Sequence, residues 1–196
     1  MSVGHIKSTP VTNLDATPKV ANSSGKGAAG QLNNVSAYVA GPLAAAGDAD
    51  STVQLVRVPW TAIVKRVYFV SATQGNAGKF DLGVYYATDG SNALSKSSLL
   101  AADAVDQDFF VAAMDAGGAA SKITVQPGGG VGYDGVATAI LQTTPAWAIN
   151  DINKPLWEAA GLTSNPGGNA DIVATVTEAP GTGGGEIGVS VDFVLP

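Results

Sequence analysis

The sequence predicts an all-β protein: an antiparallel β-sandwich or jelly roll with one or two short helices and an extended N-terminal arm. Three observations carry this. Apolar residues alternate with period two in several runs separated by Gly-rich turns. Helical spacing is confined to two short stretches. The first 33 residues show neither pattern.

Residues 1–33 come first. They are rich in Ser, Thr, Gly, Asn and Pro, and Ser23-Ser-Gly-Lys-Gly-Ala-Ala-Gly30 reads as a linker. They carry three lysines, Lys7, Lys19 and Lys26, against one acid, Asp15. We read them as an extended arm that orders, if at all, on a partner, with those lysines as its candidate partner-binding residues. Residues 34–196 form the β-sandwich (jelly-roll) domain, with seven basic and fifteen acidic residues.

Within that domain the strands fall at 52–58, 62–71, 79–87, 121–126, 171–177 and 186–193, with a weaker one at 137–141. In Lys79-Phe-Asp-Leu-Gly-Val-Tyr-Tyr86, Phe80, Leu82, Val84 and Tyr86 share a buried face, and Lys79, Asp81, Gly83 and Tyr85 share a wet one. In Glu186-Ile-Gly-Val-Ser-Val-Asp-Phe193, Ile187, Val189, Val191 and Phe193 face the core. Pro59-Trp60-Thr61 is a short corner. Gly75-Asn-Ala-Gly78 and Ala179-Pro-Gly-Thr-Gly-Gly-Gly185 read as hairpin loops, which predicts antiparallel pairing of consecutive strands.

The first helical signal is Asp106-Gln-Asp-Phe-Phe-Val-Ala-Ala-Met114, two turns with Asp106 as N-cap. The second is Lys154-Pro-Leu-Trp-Glu-Ala-Ala-Gly161, one turn with Pro155 at its start and Gly161 as its stop. Trp157 is expected to plug one end of the sandwich.

Composition narrows the function. The chain has 196 residues, of which 13% are charged; typical soluble domains carry about 25%. Such a neutral surface suits packing against neighbours. The absence of cysteine excludes disulfides, thiolate nucleophiles and Cys-based zinc sites. The single histidine, His5, lies in the arm, so no His-based dyad or two-His metal site is expected in the core. A net charge of −6 gives no basic field for nucleic acid. Lys65-Arg66, the one adjacent basic pair, should point to opposite faces of a strand. The N-terminus lacks an apolar signal core, and residues 135–150, though uncharged, are too short and polar to span a membrane. A soluble protein made in the cytosol is expected, with no nucleic-acid or membrane partner.

The chemical candidates are thin. Asp103, Asp106 and Asp108 could supply a glycosidase pair, and either that group or Asp48-Ala-Asp50 could supply a calcium site; we read the Asp103, Asp106 and Asp108 group as a cap and solvated neighbours. Gly128–130 and Gly183–185 are turn glycines, since no Gly-Lys-Ser/Thr follows them. Tyr85, Lys79 and Asp81 form the best patch for a carbohydrate. No catalytic, cofactor-binding or metal-binding residue is assigned, and no cofactor is expected.

Three stretches carry a resemblance: Val56-Arg-Val-Pro-Trp-Thr-Ala-Ile-Val-Lys-Arg-Val67; Phe80-Asp-Leu-Gly-Val-Tyr85 followed by Asp89-Gly90; and Lys154-Pro-Leu-Trp-Glu-Ala-Ala-Gly-Leu-Thr-Ser-Asn-Pro-Gly-Gly168. With the order of elements, they resemble a family of tailed-bacteriophage virion structural proteins over residues 50–195. The resemblance implies a non-enzymatic head decoration, or cement, protein on the capsid surface. Such proteins bind the major capsid protein and often assemble as homotrimers. Competing readings are a tail, baseplate or fibre-associated protein and a carbohydrate-binding β-sandwich.

Overall fold

The computed structural model describes residues 5–16, 31–40, 49–72, 78–88, 101–115, 121–126, 130–133, 147–179 and 185–196. The weak strand at 137–141, the linker at 23–30, and Lys19 and Lys26 lie outside these residues. The described strands are β1 (His5–Lys7), β2 (Leu32–Val39), β3 (Thr52–Pro59), β4 (Ile63–Ser71), β5 (Lys79–Tyr86), β6 (Ala104–Asp115), β7 (Ser121–Gln126), β8 (Gly130–Tyr133), β9 (Asn169–Glu178) and β10 (Ile187–Val194). Two short helices accompany them, α1 (Thr9–Asp15) and α2 (Leu156–Ala159).

One sheet has the order β1-β3-β9-β5-β6 and the other β2-β10-β4-β7-β8. Their antiparallel pairs are nested: β2 with β10, β3 with β9, β4 with β7, and β5 with β6. The chain is thus one long antiparallel ribbon rolled up so that successive pairs fall in alternate sheets. This is a jelly roll, the predicted class.

The rolling corrects the two predicted hairpins. β4 and β5 lie in different sheets, and so do β9 and β10. The Gly-rich segments at 75–78 and 179–185 therefore join strands that do not pair. Turn residues mark where the chain leaves a strand; which strand it pairs with next is a tertiary matter.

The core lies between the sheets, and Phe69 of β4 meets Phe80 of β5 across it with ring centroids 6.5 Å apart. Phe80, Leu82, Val84, Ile187, Val189 and Phe193 are all buried, as the alternation predicted. The wet face predicted for β5 is absent. Asp81, Tyr85, Val173 and Thr175, on the outer side of the β1-containing sheet, are buried as well. A Cβ at Gly83 would collide with the backbone carbonyls of Asp106 and Gln107, which cross directly over it.

That crossing explains why residues 106–114 form strand and not the predicted helix. β6 pairs Asp106 with Val84 but Val111 with Leu82, so several residues bulge out between. A second irregularity, with Ala113 at φ 48, precedes the pairing of Met114 with Phe80. Phe109, Phe110 and Val111 are consecutively buried. The slipped register imitates helical spacing in the sequence.

The second helical signal holds. Pro155 is the N-cap of α2, and Gly161 stops it at φ 77. Leu156 donates its backbone N–H to the Ala62 carbonyl (2.8 Å) and is buried. Trp157 is only partly buried against the core. The fully buried indoles are Trp60, at the β3–β4 corner, and Trp147, edge-on to Phe110 at 5.2 Å.

Residues 5–16 are not an extended arm in this structure. β1 runs parallel to β3, and Ser8 caps α1 by accepting from the Val11 N–H, with Pro10 in the first turn. Val11 is fully buried. The domain strands also begin earlier than residue 34, at Leu32.

Gly83→Ala is expected to destabilise by about 2–3 kcal/mol or more, because backbone and not a flexible side chain occupies the space. Gly188→Ala, whose Cβ would meet only the Ala37 carbonyl at 3.6 Å, is expected to be near neutral. Urea unfolding midpoints of the two variants check this.

Candidate functional site

Two surfaces stand out. The first is the outer side of the sheet that carries β2, β10 and β4. Here alternation holds along β2 and β10, and small polar residues form a ladder across the strands. Asn34 donates to Ser190 Oγ (2.7 Å) and to Asp192 Oδ1 (2.6 Å), and Ser36 donates to Asn34 Oδ1 (2.8 Å). Arg66 donates to Asp192 Oδ2 through Nε (2.9 Å) and Nη2 (2.5 Å), and Tyr38 donates to Glu186 (2.7 Å). Arg66 and Asp192 are thus paired, and Glu186 is held by a neutral hydroxyl. Leu32 and Tyr38, both on the edge strand β2, are exposed at 64% and 55%. A flat face of short side chains beside exposed apolar groups can pack closely against another protein.

Lys65 and Arg66 do not take opposite faces. Val64 pairs with Phe193 and Arg66 with Asp192, leaving Lys65 as the extra residue of a bulge. Val64 and Val67 both point into the core. Lys65 instead donates to the Ile152 carbonyl (2.6 Å) and Asn153 Oδ1 (3.0 Å).

The second surface is the seat of the N-terminal segment. A bulge in β3 makes it: Gln54 pairs with Val173 and Val56 with Ile172, so Leu55 is extra. The bulge keeps Val53, Leu55, Val56 and Val58 in the core and turns Gln54 and Arg57 to the outer side. Arg57 grips Asp171 bidentately, Nε to Oδ1 at 2.5 Å and Nη2 to Oδ2 at 2.9 Å, and Gln54 donates to the same carboxylate at 2.8 Å. The third guanidinium nitrogen reaches Asp15 Oδ1 of α1 at 2.6 Å. Asp15 also accepts from Lys7 (2.6 Å) and Thr88 (2.9 Å). Ser8 donates its N–H to the Gln54 carbonyl (2.7 Å) and its hydroxyl to the Leu55 carbonyl.

Electrostatics follow from this geometry. Burial pushes the Asp15 carboxyl up, but the hydrogen bonds from Lys7, Arg57 and Thr88 outweigh it and hold it below the ordinary range. Burial disfavours charge on Arg57, yet Asp171 and Asp15 together push its pKa up. Lys7 therefore uses its charge inside the chain, on Asp15.

The carbohydrate patch does not form. Tyr85 is fully buried, its hydroxyl 2.6 Å from Thr175 Oγ1. Asp81 accepts from Gln107 (2.8 Å) and the Ala113 N–H (2.7 Å). Lys79 pairs with Glu178 at 2.5 Å. At the β6 bulge, burial and the neighbouring Asp108 push Asp106 up to about 6. Among the described residues no group of three or more His, Asp or Glu side chains is placed to hold a metal.

No protein-family model matches the chain, and no curated protein matches it. One solved structure does share the fold, the capsid of Ralstonia phage GP4. The TM-score is 0.57 at 12% identity, over 97% of this chain and 98% of that one.

Arg57→Ala leaves the buried Asp171 without its guanidinium partner, with only the Gln54 amide still donating to it, and a loss of about 3–5 kcal/mol is expected; the double change Arg57→Met with Asp171→Leu should recover most of it. Differential scanning calorimetry separates the two. Asp106, with its raised pKa, binds a proton in the folded chain near pH 6 that the unfolded chain does not. Stability is thus expected to fall as pH rises through about 6. Asp106→Asn should flatten that slope in thermal melts between pH 5 and 7. Asp15, with its lowered pKa, gives the opposite dependence, stabilising above its unfolded value of 3.8 and losing that contribution in stronger acid.

Proposed function

We propose that the chain is a non-enzymatic structural protein of a tailed-bacteriophage particle, of the head decoration (cement) type. It sits on the outer surface of the capsid, binds the major capsid protein, and associates with itself as a homotrimer. It is made in the host cytoplasm and stabilises the shell by bridging neighbouring capsomers. The observation that carries this reading is the shared jelly-roll fold with a phage capsid structure over nearly the full length of both chains.

The surface supports it. The β2–β10–β4 face carries short polar side chains, the Arg66–Asp192 ion pair and two exposed apolar residues on its edge strand. Repeated weak contacts of such a face along a lattice add up by multivalency. Lys7 is engaged with Asp15, so Lys19 and Lys26 remain the arm lysines proposed to meet the capsid. The competing carbohydrate reading has lost its patch with the burial of Tyr85.

Quantitative mass spectrometry of purified virions tests the reading. The expected copy number equals that of the major capsid subunit or a simple lattice fraction of it. A handful of copies per particle would move the protein to the tail or a vertex, and absence from the particle would overturn the reading. Purified protein is also expected to bind capsids saturably, with weaker binding when Lys19 and Lys26 are both changed to Ala.

A further inference from the structure

The N-terminal segment makes a self-contained set of contacts. β1 adds to the β3 edge in parallel, Ser8 takes the carbonyls exposed at the β3 bulge, Val11 is fully buried, and Asp15 takes the third nitrogen of Arg57. Each contact is supplied by a residue between His5 and Asp15. The polar groups that receive them belong to β3 and Thr88, and α1 also packs beside β2. A parallel edge strand also needs no tight turn to its neighbour. Residues 17–30 join this segment to β2. That many residues can span roughly 45–50 Å when extended. A compact domain of this length is only about 40 Å across.

We propose that the seat on β3 is exchangeable: it accepts residues 5–16 of a second copy of this chain, so that adjacent copies hold one another by swapped N-terminal segments. The occupant is specified by spacing. Ser8 must meet the bulge carbonyls while Asp15 meets Arg57, and every copy carries both the segment and the seat. Concentration decides between the two states. A joiner of this length gives its own segment an effective concentration on the order of mM. Dilute copies therefore dock their own segment. Copies packed side by side present a neighbour's seat at a comparable concentration, and docking there forms the same hydrogen bonds and ion pairs.

The absence of cysteine makes the test clean. His5 and Thr52 are register partners in the β1–β3 pair. One chain receives His5→Cys, and a second, mass-tagged chain receives Thr52→Cys. A chain carrying both changes calibrates closure within one molecule; if it does not close, Ile6 and Val53, the next register pair, replace them. The single variants are mixed near mM concentration, oxidised mildly and separated without reductant. Covalent heterodimer is expected at about a tenth or more of the yield of the double variant, falling at least about tenfold on dilution to µM before oxidation. Adding Ser8→Ala and Asp15→Ala to the His5→Cys chain should abolish it. The proposal is overturned if no heterodimer forms where the double variant closes fully, or if heterodimer forms equally well without Ser8 and Asp15.

Discussion

One extra residue in β3 sets the geometry on which the outer side of its sheet depends. Without the bulge at Leu55, strict alternation would put Gln54 and Arg57 on opposite faces. One of two strongly polar groups would then enter the core. With it, both turn outward onto Asp171, and the carbonyls of Gln54 and Leu55 become available to Ser8. The same irregularity orients a bidentate ion pair and receives a docked strand and helix. Because Asp171 is fully buried, its charge is tolerated only with the guanidinium and the Gln54 amide in place.

The two sheets solve different problems. The β2–β10–β4 part of one sheet keeps one dry face and one wet face, and that wet face carries little that repels a neighbour. The β1-containing sheet is buried over much of both faces, so its polar side chains must be paired internally, as Tyr85 is with Thr175 and Asp81 with Gln107. The first kind of surface suits contact with other proteins, and the second holds the shape.

Much of the fold was legible in the sequence where alternation ran without interruption. β10 shows this best: Ile187, Val189, Val191 and Phe193 point inward from a plain period-two pattern. The cap and stop of α2 were equally readable from Pro155 and Gly161. Legibility failed wherever a bulge broke the period. Phe109, Phe110 and Val111 look helical as a string because slippage against β5 buries them in a row. Lys65 and Arg66 read as alternating until Lys65 is recognised as the inserted residue. The docked N-terminal segment carried a local signal, Ser8 ahead of Pro10 and Val11, which marks a helix start. The seat itself, assembled from Arg57, Thr88 and Asp171 far apart in sequence, had no local signature.

The nesting of strand pairs bears on how the chain acquires its shape. β2 has β10 as its partner, so residues 32–39 must wait for residues 187–194 before that ladder can close. The β5–β6 pair, innermost in the nest, joins residues much nearer in sequence. Closing distant pairs before near ones carries the larger loop-entropy cost, so assembly from the inside of the roll outward is the least uphill order. On a ribosome that order leaves β2 waiting with an open edge until the last strand emerges, which makes early capture by another nascent copy the natural misfolding hazard of this topology.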